Sequence, residues 1–207
     1  LVAARDRLVG RMSSELVERL TYKGSGDDRW VAEEPVWGGL VAIPPEFNSE
    51  NHSDRHFHLG YVFVAASVVA EHTRIDAQVA ETVDLLAASL LAAGTPTVDS
   101  VSANRQGVVP LGGGVFSPWL GSSLADGYAQ TNRGNNQESS SEAVNAWYGI
   151  ARWAQATGRS ALADAAVVRY TLESDAARTY WLGEDAAFPN GYAHATAGIL
   201  WDDRVEH

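Results

Sequence analysis

Two glutamates stand four residues apart where a polar loop gives way to an apolar helical pattern. Glu138 and Glu142 lie in the stretch N-N-Q-E-S-S-S-E-A-V-N-A-W, which begins at Asn135. If the helix starts at residue 138, both carboxylates lie on one helix face about one turn apart, where like charges repel weakly. Acids are nevertheless common in first turns, because the helix dipole stabilises them there. The spacing therefore fits either a solvated helix start or a pair of carboxylates that does chemistry.

A second polar cluster, formed by Asp54, His56 and His58, opens another apolar helical pattern. Asp54 and His58 are four residues apart and share a helix face, whereas His56 points elsewhere. Burial at the mouth of an apolar helix raises the pKa of a carboxyl and keeps it protonated, as a general acid must be. A more solvated carboxylate from another helix stays ionised and activates water. Together the two stretches fit the two-carboxylate chemistry of glycoside hydrolysis, provided that they converge in space.

Two other interpretations of the histidine cluster stay open. A D-x-H-x-H run with His52 close by can ligate a metal, although a zinc site needs a further ligand and supporting hydrogen bonds. The histidines can also be hydrogen-bonded core or capping groups. We favour the acid and base pair, and therefore expect neither a metal nor another cofactor.

The composition indicates a globular domain and excludes several classes of partner. A chain of 207 residues is long enough for one domain with one sizeable core. The net charge of -11 argues against a nucleic-acid partner and against an anionic membrane surface. The absence of cysteine excludes disulfides and thiolate metal sites, and no apolar run approaches the length of about 18 residues that a membrane span needs. A neutral substrate such as a sugar polymer is compatible with this charge.

Helical periodicity predicts the elements that must position these side chains. Long helices are predicted over residues 1–20, 54–73, 76–93, 138–157 and 160–182. Short strands are predicted at 39–43 and 197–201, and the polar segment 94–136 carries no long periodic pattern. Alternating helices and polar loops indicate an all-α domain built from antiparallel helix pairs.

Both polar stretches resemble signature segments of glycoside hydrolase family 81, the endo-β-1,3-glucanases. Residues 54–61 read D-R-H-F-H-L-G-Y, similar to D-H-H-F-H-Y-G-Y in the family. Residues 136–149 read N-Q-E-S-S-S-E-A-V-N-A-W-Y-G, similar to N-Q-E-S-S-S-E-A-x-N-A-Y-Y-G. The resemblance spans roughly residues 30–201 and includes a shorter W-G-G-L motif at Trp37.

The resemblance implies an (α/α)6-barrel-like catalytic domain that cleaves β-1,3-glucan with inversion and without a metal. Asp54 matches the general acid of the family, and Glu138 and Glu142 match its acidic pair. We expect Glu142 to be the base that polarises water, and Glu138 to orient that water or balance the charge. His58 matches a histidine of the family's cleft. Five long helices are fewer than six pairs, so residues 1–207 are expected to form one incomplete barrel.

Members of the family tend to carry an N-terminal β-sandwich domain, which we expect to be absent from this chain. The resemblance also implies an extracellular protein. The alternative is a relative that binds β-glucan without cutting it, or an inactive fragment.

Further sugar contacts are expected from side chains in or near the motifs, namely His56, Tyr61, Trp37, Trp119, Trp147 and Asn136. Aromatic rings stack on sugars, although each ring here can equally belong to the core. Residues 116–125 depart from the family segment F-D-P-Y-x-G-H-S-W-A, because Ser117, Ser122 and Leu124 stand where Asp, His and Trp are usual. Arg55 and Leu59 are similar departures in the first motif. These changes affect sugar contacts more than bond cleavage, so the sequence specifies the reaction type better than the substrate preference.

Overall fold

Five α-helices dominate the computed structural model, which describes residues 2–24, 26, 29–33, 39–91, 116–127 and 134–202. They are α1 (Val2–Leu20), α2 (Arg55–His72), α3 (Ala77–Leu91), α4 (Ser140–Ala156) and α5 (Ser160–Ala176). Each lies within a predicted helical range, which confirms the predicted all-α class. The last predicted helix is shorter than expected, because α5 passes into a π-type turn at Ala177–Trp181. No helix in these ranges is long and apolar enough to cross a bilayer.

Among the described residues, the segments between and after the helices form three short antiparallel ribbons. They pair β1 (Trp30–Glu33) with β2 (Leu40–Ile43), β3 (Phe116–Ser117) with β4 (Ser122–Ser123), and β5 (Asn135–Gln137) with β6 (Leu200–Asp202). The strand predicted at 39–43 is β2, and β6 overlaps the strand predicted at 197–201. The remaining strands were not predicted, because two to four residues are too few to establish an alternating pattern.

The apolar core lies where α2, α3 and α4 meet, with one face of α1 packed against it. Phe63, Leu86, Ile150 and Trp153 are almost fully buried there. At its edge Asp84 of α3 accepts hydrogen bonds from Trp153 Nε1 and Arg159 Nε, both at 2.8 Å. These bonds tie α3 to α4 and to the turn before α5.

Helices α2 and α4 approach closely through glycine. A Cβ on Gly149 of α4 would lie 2.8 Å from Phe63 Cβ, and a Cβ on Gly60 of α2 would lie 3.1 Å from Ala146 Cα. Both distances are shorter than ordinary carbon contacts, so a side chain at either position requires the helices to separate. The two glycines thus let the starts of α2 and α4 lie side by side.

We expect Gly149→Ala to lower the free energy of unfolding by about 1–3 kcal/mol, because the added methyl group overpacks the α2–α4 contact. Urea denaturation measures the change. The matched control is Gly10→Ala in α1, where a Cβ meets nothing within 4 Å and where alanine favours the helix. Equal stability in both variants would contradict the close-packing argument.

Candidate active site

Asp54 holds the position directly before α2 in an uncommon backbone conformation. Its φ of 53° and ψ of 12° lie in the left-handed region, which costs a residue other than glycine on the order of 1 kcal/mol. A loop holds it there, since Asp54 N donates to Ala125 O at 2.8 Å and Ser53 forms a β-bridge with Asp126. Gly127 closes this contact, because a Cβ would lie 2.1 Å from Asn51 O.

Glu138 stands before α4 rather than within it. Strand β5 ends at Gln137, Ser139 occupies the N-cap position, and Glu142 lies in the first helical turn. The prediction that Glu138 and Glu142 share one helix face is therefore wrong, because pairing with β6 keeps the chain extended up to residue 137. Glu138 is exposed, whereas Glu142 is half-buried.

The two motif segments nevertheless converge, as the sequence predicted. Gln137 Nε2, next to Glu138, lies 3.2 Å from His56 Nε2 in the first turn of α2. One turn further along α2, Tyr61 OH donates to Glu142 Oε1 at 2.8 Å. The two motif segments thus lie side by side.

Three further carboxylates act on Asp54. Burial, and then the negative charge of Glu138, raise the pKa of Asp54 from 3.8 to about 6, although the charge of His58 acts in the opposite direction. Asp126 and Glu142 contribute smaller effects in the same direction as Glu138. Asp54 therefore keeps its proton up to about pH 6, well above the range of an ordinary aspartate, which suits a general acid.

The three histidines near Asp54 differ in their burial and in their contacts. His58 is half-buried, with its ring 5.6 Å from the ring of Phe47. His56 is fully buried, and this burial, with smaller contributions from the charges of His58 and Arg55, lowers its pKa to about 3. Buried His52 accepts from Arg55 Nη1 at 3.1 Å when its Nδ1 is unprotonated. Within the described ranges, no group of three or more His, Asp or Glu side chains is arranged to hold a metal, so the metal interpretation gains no support from this geometry.

Burial corrects two of the predicted sugar contacts. The side chains of His56 and Trp147 have no accessible surface, so neither can touch a sugar directly. The Trp147 indole instead packs against Phe116 and donates to Glu173 at 3.0 Å. Both are interior groups, in agreement with the alternative that the histidines and the aromatic rings belong to the core.

The other predicted contacts differ in accessibility. Tyr61 is 60% exposed and Trp119 is 94% exposed, so both rings are available to a ligand. Asn136 is buried, and its Nδ2 donates to Asp126 Oδ2 at 3.0 Å. Trp37 lies outside the described residues.

Tyr61 and Glu142 line an open groove of about 590 Å³. The hydrogen bond to Glu142 raises the pKa of the Tyr61 phenol, because the carboxylate disfavours loss of the phenolic proton. The remaining lining comes from α1, α2 and α4, through Met12, Val64, Ala65, Ser141 and Asn145. An apolar floor with a few polar groups is typical of a ligand site.

The structure adds Asp126, Gln137 and Glu173 to the surroundings of the site. Gln137 could have been suspected because it directly precedes Glu138. No sequence pattern pointed to Asp126 in its irregular loop, or to Glu173 on a helix whose acids otherwise face water.

Comparison with known proteins places this geometry in a family. Residues 29–207 match the glycosyl hydrolase family 81 C-terminal domain. A glucan endo-1,3-beta-D-glucosidase from Thermobifida fusca is 32% identical over 207 residues, which cover 99% of this chain and 26% of that protein. A protein of the same name from Acetivibrio thermocellus is 33% identical over 215 residues, which cover 100% of this chain and 26% of that protein.

A solved structure is similar to this chain in fold as well as in sequence. The glycoside hydrolase family 81 protein from Clostridium thermocellum, determined as a point mutant, superimposes with a TM-score of 0.80 at 31% identity. The match covers 97% of this chain and 27% of that one. This chain therefore spans about a quarter of the length of these relatives, and it belongs to glycosyl hydrolase family 81, within the C-terminal domain.

Proposed function

We propose that residues 1–207 form part of the α/α-barrel catalytic domain of an extracellular endo-β-1,3-glucanase that acts with inversion. The observation that carries the proposal is that half-buried Asp54 stands at the start of α2, where His56 and Tyr61 contact Gln137 and Glu142 of the other motif. Burial, and then the charge of Glu138, raise the pKa of Asp54. The names of the relatives support β-1,3-glucan as the substrate.

In this mechanism Asp54 donates its proton to the oxygen of the scissile glycosidic bond. Glu142 takes a proton from a water molecule that attacks the anomeric carbon from the opposite face of the sugar. The bond from that carbon to the leaving oxygen breaks as the bond to water forms, which inverts the configuration. Asp54 is then ionised and Glu142 protonated, and exchange with solvent restores both.

Glu138 has a separate role in this scheme. Among the neighbouring carboxylates it raises the pKa of Asp54 most, so it keeps the acid protonated. Glu142 acts on Asp54 less strongly, lines the groove and is held by Tyr61, which suits a base that faces substrate from the other side. Tyr61, Trp119 and His58 are the proposed sugar contacts.

The pH dependence of kcat/KM tests the role of Glu138. We expect activity to fall as the pH rises through about 6, because Asp54 then loses the proton that it must donate. Glu138→Gln removes a negative charge, so this alkaline limb should move to lower pH. An alkaline limb that stays in place would remove Glu138 from this role.

A product assay tests the proposed activity itself. The purified protein is incubated with β-1,3-glucan, β-1,4-glucan and mixed-linked glucan, and reducing ends are counted while products are sized. We expect internal cleavage of β-1,3-glucan and little release from β-1,4-glucan. Affinity for β-1,3-glucan without any cleavage, in protein shown to be folded, would favour the binding alternative instead.

A further inference from the structure

Gln137 makes three contacts that connect different parts of the site. Its Nε2 donates to Ser123 O at 2.8 Å and lies 3.2 Å from His56 Nε2, and its Oε1 accepts from Ser139 N at 3.1 Å. The side chain is almost completely buried. Because one amide atom must donate and the other must accept, these contacts leave the amide a single orientation.

The contact with His56 joins the two carboxylate-bearing segments. The amide nitrogen of Gln137 can only donate, so this contact is a hydrogen bond when His56 is neutral and accepts at Nε2. Full burial of His56 favours that neutral form. Asp54 lies two residues before His56, and Glu138 follows Gln137 directly. The contact between Gln137 and His56 therefore joins the two segments close to these carboxyls, whereas the bond from Tyr61 to Glu142 joins them further along α2.

We call the contact between Gln137 and His56 the bridge. Glu173 fixes Ser123, which is the other partner of the Gln137 amide nitrogen. Its carboxylate accepts from Ser122 Oγ at 2.8 Å, from Ser123 N at 2.7 Å and from Trp147 Nε1 at 3.0 Å. Glu173 is fully buried on α5, and these three hydrogen bonds hold β4 against α4 and α5. Ser123 therefore presents its carbonyl to Gln137 from a fixed position.

We propose that Gln137 is a positioning residue that sets the separation between the carboxyl of Asp54 and the carboxyls of Glu138 and Glu142. The inference rests on the proposed function, because that separation matters only if these groups act on one sugar linkage. Inverting hydrolysis needs an acid and a base roughly 6.5–9.5 Å apart, so that water fits between them and the sugar. A displacement of about 1 Å in such a site can reduce the rate on the order of 10²-fold.

The bridge also affects how Asp54 holds its proton. The charged and titratable groups that act on Asp54 are Glu138, His58, Asp126 and Glu142. If the bridge is lost and the start of α4 moves away, the influence of Glu138 weakens and Asp54 becomes more acidic. A role in folding alone would not produce that change.

The test uses Gln137→Met, which keeps the length of the side chain and removes its hydrogen bonds. We expect kcat on β-1,3-glucan to fall about 10²-fold with little change in KM, and the alkaline limb of the pH profile to move to lower pH. A ¹³C NMR titration of the Asp54 carboxyl should show the same downward shift without any substrate. The structural control is Asp84→Asn, which weakens the bonds to Trp153 and Arg159 and should leave the titration of Asp54 unchanged.

A second pair of variants keeps the inference testable if Gln137→Met does not fold. His56→Gln retains an acceptor for the Gln137 amide and should keep most of the activity, whereas His56→Leu should behave like Gln137→Met. Wild-type kcat and an unmoved Asp54 titration in folded Gln137→Met or His56→Leu would overturn the inference. If the wild-type protein does not cleave glucan, the proposed function fails, and the NMR titration alone decides whether Gln137 sets the spacing.

Discussion

Replacing Asp54 with asparagine is expected to lower kcat/KM on β-1,3-glucan by about 10²–10⁴-fold while the fold persists. The amide cannot protonate the departing oxygen, which is the step that the raised pKa of Asp54 supports. Asparagine also tolerates the left-handed backbone at this position, so the loop contact with Ala125 can survive. Reducing-end assays measure the loss, and circular dichroism verifies the fold.

Two readouts separate lost chemistry from lost structure in Asp54→Asn. A glucosyl fluoride substrate needs little protonation of its leaving group, so the loss should be much smaller there. Because the folded-state pKa of Asp54 is raised from 3.8 to about 6, ionisation of this group costs stability as the pH rises through that window. The free energy of unfolding of the variant at pH 7 should therefore be no lower than that of the wild type. Activity on glucan close to wild type would remove Asp54 from the role of acid.

Glu142→Gln is the second substitution with a large expected effect, a fall in kcat of about 10²–10⁴-fold. Glutamine can still accept from Tyr61 OH, so the wall of the groove stays in place while the proton acceptor for water is lost. The loss should persist on a glucosyl fluoride, because water must be activated whatever the leaving group. This distinguishes the base from the acid.

The matched control for Glu142→Gln is Glu71→Gln near the end of α2. Glu71 pairs with Arg152, and it is not among the described residues that line the groove. We expect this variant to cleave glucan like the wild type. Equal activity of the Glu71 and Glu142 variants would show that Glu142 does not activate water.

Periodicity predicted the helices well because their apolar stripes are long. The stripe through Val79, Val83, Leu86 and Leu90 predicts α3 correctly, and all four side chains are buried. The start of α4 was misplaced, because the polar residues around Glu138 suit a helix cap as well as a strand. The pairing of β5 with β6, from the far end of the chain, decides between the two.

The sequence predicted some parts of the site correctly and others wrongly, for a related reason. The residue types of the two stretches, and their resemblance to family 81, predicted that Asp54, Glu138 and Glu142 act together, and the structure brings their segments into contact. The sequence could not say which polar or aromatic side chains face inward, so buried His56 and Trp147 were taken for sugar contacts. Whether His56 and Trp147 point into the core depends on their partners there, Gln137 and Glu173, which lie far from them in the sequence.

The stereochemistry of the first product tests the central claim most directly. A β-1,3-glucan is cleaved by the wild-type protein in an NMR tube, and the anomeric proton of each new reducing end is followed before mutarotation. An acid at Asp54 and a water-activating base at Glu142 predict that the α-anomer appears first. Initial release of the β-anomer would mean retention through a covalent intermediate, which would contradict the proposed arrangement of acid, water and base.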